Sequence, residues 1–118
     1  MIQTVYSILE PLNTPISYIL RPDISGSPKI GISYHFFNEN YELHGDGEGK
    51  EFGGSLQIDI FSTVDYSNIV KQVKSLMKAS KFRLADMRDS DDSFSNVKYY
   101  HKILIFNYLE KEVMNNGI

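Results

Sequence analysis

The chain contains no cysteine, so neither a disulfide framework nor a thiolate metal site can exist in it. No apolar run comes near the roughly 18 residues that a membrane-spanning helix needs. The opening residues, MIQTVYSILEPL, carry neither a basic leader nor a small-residue cleavage site. That excludes a secretory signal there and predicts folding in the cytoplasm. An excess of one charge is also lacking. A formal charge of −3 in 118 residues argues against a broad nucleic-acid-binding surface, while leaving room for a local basic patch. Histidine is confined to His35, His44 and His101, and internal repeats and low-complexity tracts are absent.

What is present is core material. Hydrophobic residues make up 42% of the chain, with eight Tyr and seven Phe, and the length suits one domain over residues 1–118. Residues 55–82 are the most informative stretch, because the hydrophobic period changes within them. Leu56, Ile58 and Ile60 alternate with Gln57, Asp59 and Phe61, the period of a strand. Beyond Thr63 the apolar residues Tyr66, Ile69, Val70, Val73, Leu76 and Met77 fall on one helical face. Asp65 stands at the junction as the expected N-cap, and the helix is expected to stop near Ser80.

Around this unit the rest of the chain divides readily. Residues 2–10 form an amphipathic helix that Pro11 ends, and Ile16, Tyr18 and Leu20 alternate as a first strand. Residues 22–28 are a Pro- and Ser-containing loop. Residues 29–38 form a second strand with Ile30, Ile32, Tyr34 and Phe36 on one face. Residues 39–54 are polar and glycine-rich. They are either a mobile loop or extensions of the two flanking strands into an arm, with Tyr41, Leu43 and Phe52 as pairing residues. Phe82, Leu84, Ala85 and Met87 suggest a fourth strand, residues 88–95 an acidic turn, and residues 97–109 a final Tyr-rich strand. Residues 110–118 are expected to be a frayed tail. The order α-β-β-β-α-β-β predicts an α+β domain, with an antiparallel sheet and the long helix packed on one face.

Residue chemistry alone offers little toward function. Residues 45–50, GDGEGK, are followed by a strand rather than a helix and carry two acidic residues, so they do not make a phosphate cradle. Asp89 and Asp91 have the first spacing of a calcium loop, with Asp92 beside them. Phe94 occupies the position that needs glycine, however, and Tyr100 the position of the closing acid. A solvated acidic turn is the plainer reading. The histidines are scattered, with no carboxylate at a spacing that orients one of them. No argument for an enzyme, a metal or a cofactor follows. Lys71, Lys74, Lys78 and Lys81 recur at i, i+3, i+7 and i+10. They form either a solvated face or a contact to an acidic partner or to nucleic acid.

In VYSILEPLNTPISY, ISYHFFNENYE, LQIDIFSTVDYSNIVKQVKSLMKASKF and YYHKILIFNY, taken in order, the chain resembles the small tail-completion proteins of long-tailed bacteriophages and prophages. These are also called tail-terminator or tail-to-head joining proteins. The resemblance implies a non-catalytic virion protein. It would assemble in the host cytoplasm, form a hexameric ring that caps the tail tube, and meet the tail-tube protein and the head-completion or connector protein. It implies no cofactor, no membrane and no specific nucleic-acid site. The family has no functional residue to carry over, and its members often have a less glycine-rich loop after the second strand. Contacts between subunits or partners would fall to Tyr41, Phe52, the four lysines, Asp89, Asp91 and Asp92, with the lysine row facing the acidic turn of a neighbour. The alternatives are a head-completion or connector protein, a small ligand- or nucleic-acid-binding module using the lysine helix, and a metal-dependent enzyme at the acidic turn.

Overall fold

A computed structural model of the chain describes residues 1–22, 24, 29–44, 48–91 and 100–114, with residues 40–44, 48–52, 91 and 114 described by their backbone. Helix α1 (Ile2–Leu9) and a 3₁₀ turn (Glu10–Leu12) lead into strand β1 (Ile16–Tyr18). Two long strands follow, β2 (Ile30–His44) and β3 (Glu48–Ser62), then helix α2 (Ser67–Ala79). Strands β4 (Arg83–Asp91) and β5 (Tyr100–Leu109) and the short helix α3 (Glu110–Met114) complete the domain. The five strands form one sheet in the order β1-β2-β3-β5-β4.

The fold is α+β as expected, but the sheet is mixed rather than antiparallel. Strand β1 runs parallel to β2, with Ile16 beside Ile32 and Tyr18 beside Tyr34. A parallel return needs a crossover of about a dozen residues, and the stretch from Ile19 to Lys29 is long enough to make one. Pro22 and Ile24 are buried, and they press on Gly31, where an added Cβ would lie 2.6 Å from Pro22 Cγ and 2.9 Å from Ile24 Cγ2. The first strand is also shorter than its alternation suggested. Ile19 turns to φ 71° and Leu20 stands 73% exposed.

One face of the sheet and all three helices share a single core. Ile32 and Tyr34 of β2 meet Leu56, Ile58 and Ile60 of β3 and Leu104, Phe106 and Tyr108 of β5. Helix α1 adds Val5, Ile8 and Leu9, and helix α2 adds Val70, Val73 and Met77. The alternation in β3 is therefore realised as read, with Leu56, Ile58 and Ile60 fully buried. Helix α2 is short rather than long, 13 residues or about 20 Å. Its cap is Tyr66, not Asp65. The Asp65 carboxylate still serves the first turn, accepting from the Ser67 amide at 2.9 Å and from the Ser67 hydroxyl at 2.7 Å. Tyr34 is closed over completely, and its hydroxyl donates to the Ile2 carbonyl at 2.7 Å, tying helix α1 to the sheet.

Three other expectations change. The acidic stretch expected as a turn from residue 88 continues strand β4 as far as Asp91; residues 92–99, including Asp92, lie outside the described residues. The start of the expected frayed tail, Glu110–Met114, is helical, because Val113 is an apolar anchor buried completely in the core. The glycine-rich segment resolves in favour of the arm. Backbone pairing continues from Asn40 opposite Gly53 through Tyr41 opposite Phe52 to His44 opposite Glu48, while residues 45–47 lie outside the described residues. Asn38, at φ 50°, marks an irregularity in the register, and opposite it an added Cβ on Gly54 would lie 3.1 Å from Glu39 Cα. Glycine at this position admits close backbone approach rather than a loop.

Candidate functional site

Two surfaces and one side-chain cluster stand out. The first surface is the end of the β2–β3 hairpin. Strand β5 pairs with β3 only from Gly53 to Ser62. Beyond Gly53, residues 40–44 and 48–52 form a two-stranded ribbon with no third strand among the described residues. Strands of 15 residues each span about 50 Å, which accounts for a molecule 59 Å long and only 25 by 21 Å across. A two-stranded ribbon in water is marginally stable, and both its edges carry backbone donors and acceptors without strand partners. Tyr41 and Phe52, expected as contact residues, are paired with each other here through the backbone; their side chains lie outside the described residues.

The second surface lies between the end of helix α2 and the start of β4. Lys74, Lys78, Lys81 and Arg83 surround a cavity of about 490 Å³. Phe82, Leu84 and Phe106 give it an apolar lining, with Glu112 at its border. Arg83 is engaged with that carboxylate, its Nη2 donating to Glu112 Oε1 at 2.8 Å. Lysine spacing alone identified three of these residues. Arg83, Phe82, Leu84 and Glu112 come from other elements, and only the packing of α2 and α3 against β4 and β5 brings them together. Lys71, the fourth member of the row, lies apart and borders a shallower groove with Pro11, Leu12 and Leu76.

Local backbone chemistry explains how the second surface is shaped. Helix α2 ends in a Schellman arrangement: the Phe82 amide donates to the Met77 carbonyl and the Lys81 amide to the Lys78 carbonyl, both at 3.0 Å. The motif puts Lys81 at φ 73°, a conformation that glycine adopts at least cost. Phe82 and Met77, both buried, supply the apolar contact that accompanies it. The chain thus reverses sharply out of α2, and Lys81 and Arg83 emerge on either side of a buried phenylalanine.

The acidic residues behave differently from the lysines. Asp89 accepts from the Tyr66 hydroxyl at 2.8 Å and pairs with Lys102 Nζ at 3.1 Å. The Tyr66 hydrogen bond first, and then the lysine, hold its carboxyl below the usual carboxylate range. The same contact and, above all, burial push the Tyr66 hydroxyl up to about 12. Asp91 lies in β4 opposite Tyr100, with its side chain outside the described residues. Asp89 is thus tied to its own sheet.

The side-chain cluster sits on the sheet face away from the core. Asp59, 7% exposed, accepts from Gln57 Nε2 at 2.9 Å and lies 3.0 Å from His101 Nε2. His101 stacks on Phe61 with ring centroids 4.4 Å apart, and the Arg21 guanidinium lies 4.4 Å from the same ring. A carboxylate therefore does orient one histidine. No linear spacing announces it, because the partners sit diagonally on adjacent strands, 42 residues apart in sequence. The cluster joins β3, β5 and the residues after β1. Among the described residues, no group of three His, Asp or Glu is placed to hold a metal ion, and no helix is long and apolar enough to cross a membrane.

In comparisons with known proteins, no family model matches the chain and no curated protein matches it. Among solved structures it is similar to a chain of the virion of a native gene transfer agent particle, at 12% identity and a TM-score of 0.44, over 89% of this chain and 82% of that one.

Proposed function

We propose that the chain is a structural protein of a phage or prophage particle, one that completes or terminates the tail tube and joins it to the head connector without catalysis. In this reading the copies assemble into a ring, hexameric as the sequence resemblance implies. They then dock onto the tail-tube protein on one side and the head-completion protein on the other, first in the host cytoplasm and finally in the virion.

The projecting ribbon is the observation that carries the reading. A chain of this size gains little from two strands that leave its core. Their edges offer an unpaired ladder to a neighbour's sheet, and strand addition gives both affinity and register. A heterologous contact of this kind, repeated head to tail, closes into a ring when the rotation between copies allows it. The ordered segments behind the resemblance, from VYSILEPL to YYHKILIFNY, supply the rest.

The test replaces residues 41–52 with an Asn-Gly turn, which closes the hairpin at the Asn40–Gly53 pair. Light scattering on the full chain, alone and with tail-tube protein, should show a ring, and the shortened chain should remain monomeric. A full chain that stays monomeric at high concentration with tail-tube protein present removes the proposal. So does a shortened chain that assembles as well as the full one.

A further inference from the structure

We propose that the cavity between α2 and β4 is a docking groove for an acidic peptide segment of a partner protein. In it, one aromatic or aliphatic side chain of the segment seats against Phe82 and Leu84, and flanking carboxylates meet Lys74, Lys78 and Lys81. The proposal rests on the assembly reading for the partner's setting, but its chemistry stands on the groove itself.

Charge is the first argument. Among the described residues, four cations and one carboxylate border the groove, an excess of three positive charges on a chain whose formal charge is −3. Glu112 is taken by Arg83, and among the described residues no carboxylate pairs with Lys74, Lys78 or Lys81. The field at this spot therefore favours an anionic ligand against the sign of the whole molecule.

The groove's interior selects the kind of anion. Phe82 and Phe106 are almost fully buried beneath it, and Leu84, 42% exposed, stands at its mouth. A phosphate chain gains nothing from such a floor. Lys74 and Lys78, moreover, lie about 6 Å apart along α2 with Lys81 just past its end, and three lysines make too few contacts for the many phosphates on which nucleic-acid affinity depends. A peptide offers both parts at the right spacing, an apolar anchor and carboxylates a few ångströms to either side.

The third argument is local and independent of charge. Lys81 occupies the left-handed position of the helix-ending motif, where glycine would relieve the backbone. Residues held in sparsely populated backbone regions cluster at ligand-binding positions, and Lys81 combines that conformation with a place on the groove's border.

The experiment measures fluorescence anisotropy of a labelled peptide that alternates aspartate with leucine and phenylalanine, titrated with the full chain. Two ligands serve as controls: the same peptide with serine at the apolar positions, and single-stranded DNA of equal charge. The apolar peptide should bind about tenfold more tightly than the serine peptide, as one buried anchor implies. Binding should disappear with Lys74→Glu combined with Lys78→Glu. Lys81→Gly should weaken it several-fold while raising the melting temperature, a split that a misfolded variant cannot produce. The proposal is overturned by equal binding of the serine peptide, tighter binding of DNA, or no binding of any ligand. Lys81→Gly that leaves affinity unchanged also overturns it. If the double charge reversal instead abolishes self-association of the chain, the groove belongs to a second copy and the assignment to a partner fails. Ring formation without peptide binding would sink the groove alone, and peptide binding by a permanent monomer would sink only the assembly reading.

Discussion

Ile19 shows how much a single position can depart from its local rules. It is β-branched, 62% exposed and held at φ 71°, where an L residue crowds its own carbonyl. Its amide donates to the Tyr34 carbonyl at 2.8 Å, and that hydrogen bond at the end of β1 holds the conformation in place. Ile19→Asn keeps the amide, loses little buried surface and suits the left-handed region. It should stabilise the fold by about 1 kcal/mol in urea unfolding; a destabilised variant would show that the isoleucine side chain contributes packing. Tyrosines make a second prediction at this scale. Burial, reinforced by Glu39 and Glu110, pushes the Tyr108 hydroxyl up to about 12, and burial with the Asp89 hydrogen bond does the same for Tyr66. The unfolded chain ionises these groups near 10 and the folded one does not. Their contribution is therefore intact below pH 10 and is lost as the pH rises toward 12, by up to about 1.4 kcal/mol per pH unit for each group. Tyr66 is only partly buried and should contribute less. A urea midpoint that stays flat across this window, or one that Tyr108→Phe leaves equally steep, would contradict the argument.

At the scale of elements, the strand-to-helix unit was the most legible part of the chain. Its two periods are enforced by the same core: Leu56, Ile58 and Ile60 must face one way from a strand, and Val70, Val73 and Met77 must meet them from a helix. Val73 is fully buried at that interface, so Val73→Asp places an uncompensated charge there. The variant should be unfolded by circular dichroism; a folded, soluble Val73→Asp would mean that the helix does not pack as described. Glycine content left two readings open, a loop or an arm, and the arm is the one the strands form. Gly53 and Gly54 look like loop residues, yet they lie within a strand at a place where the backbones of neighbouring strands approach too closely for a side chain. Composition cannot separate these two uses of glycine, because both require the missing Cβ and only the neighbours differ. The parallel β1–β2 pair was hidden for a related reason. Direction depends on how the chain crosses between strands, and alternation within a strand is the same either way.

For the whole molecule, the division between body and ribbon has a thermodynamic consequence. The body contains the helices and the core, whereas residues 40–44 and 48–52 pair only with each other among the described residues. Replacing residues 41–52 with a tight turn should therefore leave the melting temperature of the monomer within a few degrees of the full chain, a stability change of no more than about 1 kcal/mol. A large drop would show that the ribbon packs on the body and serves the fold rather than assembly. The candidate surfaces were legible to different degrees. Three groove lysines followed from helical spacing, and the ribbon was one of two readings of the glycine-rich stretch. Arg83, Glu112 and the Asp59–His101 pair had no signal in the sequence, since their partners lie 29 and 42 residues away.

The sequence by itself determined the class of the fold and the core faces of β3 and α2. Each of these depends on residue order and periodicity, which are properties of the chain. The tertiary structure decided the direction of β1, the reach of the ribbon, the burial of Val113 and the assembly of a cationic groove over a phenylalanine floor. Those depend on which distant segments meet, and that is settled by packing a shared core, where every element constrains the others at once.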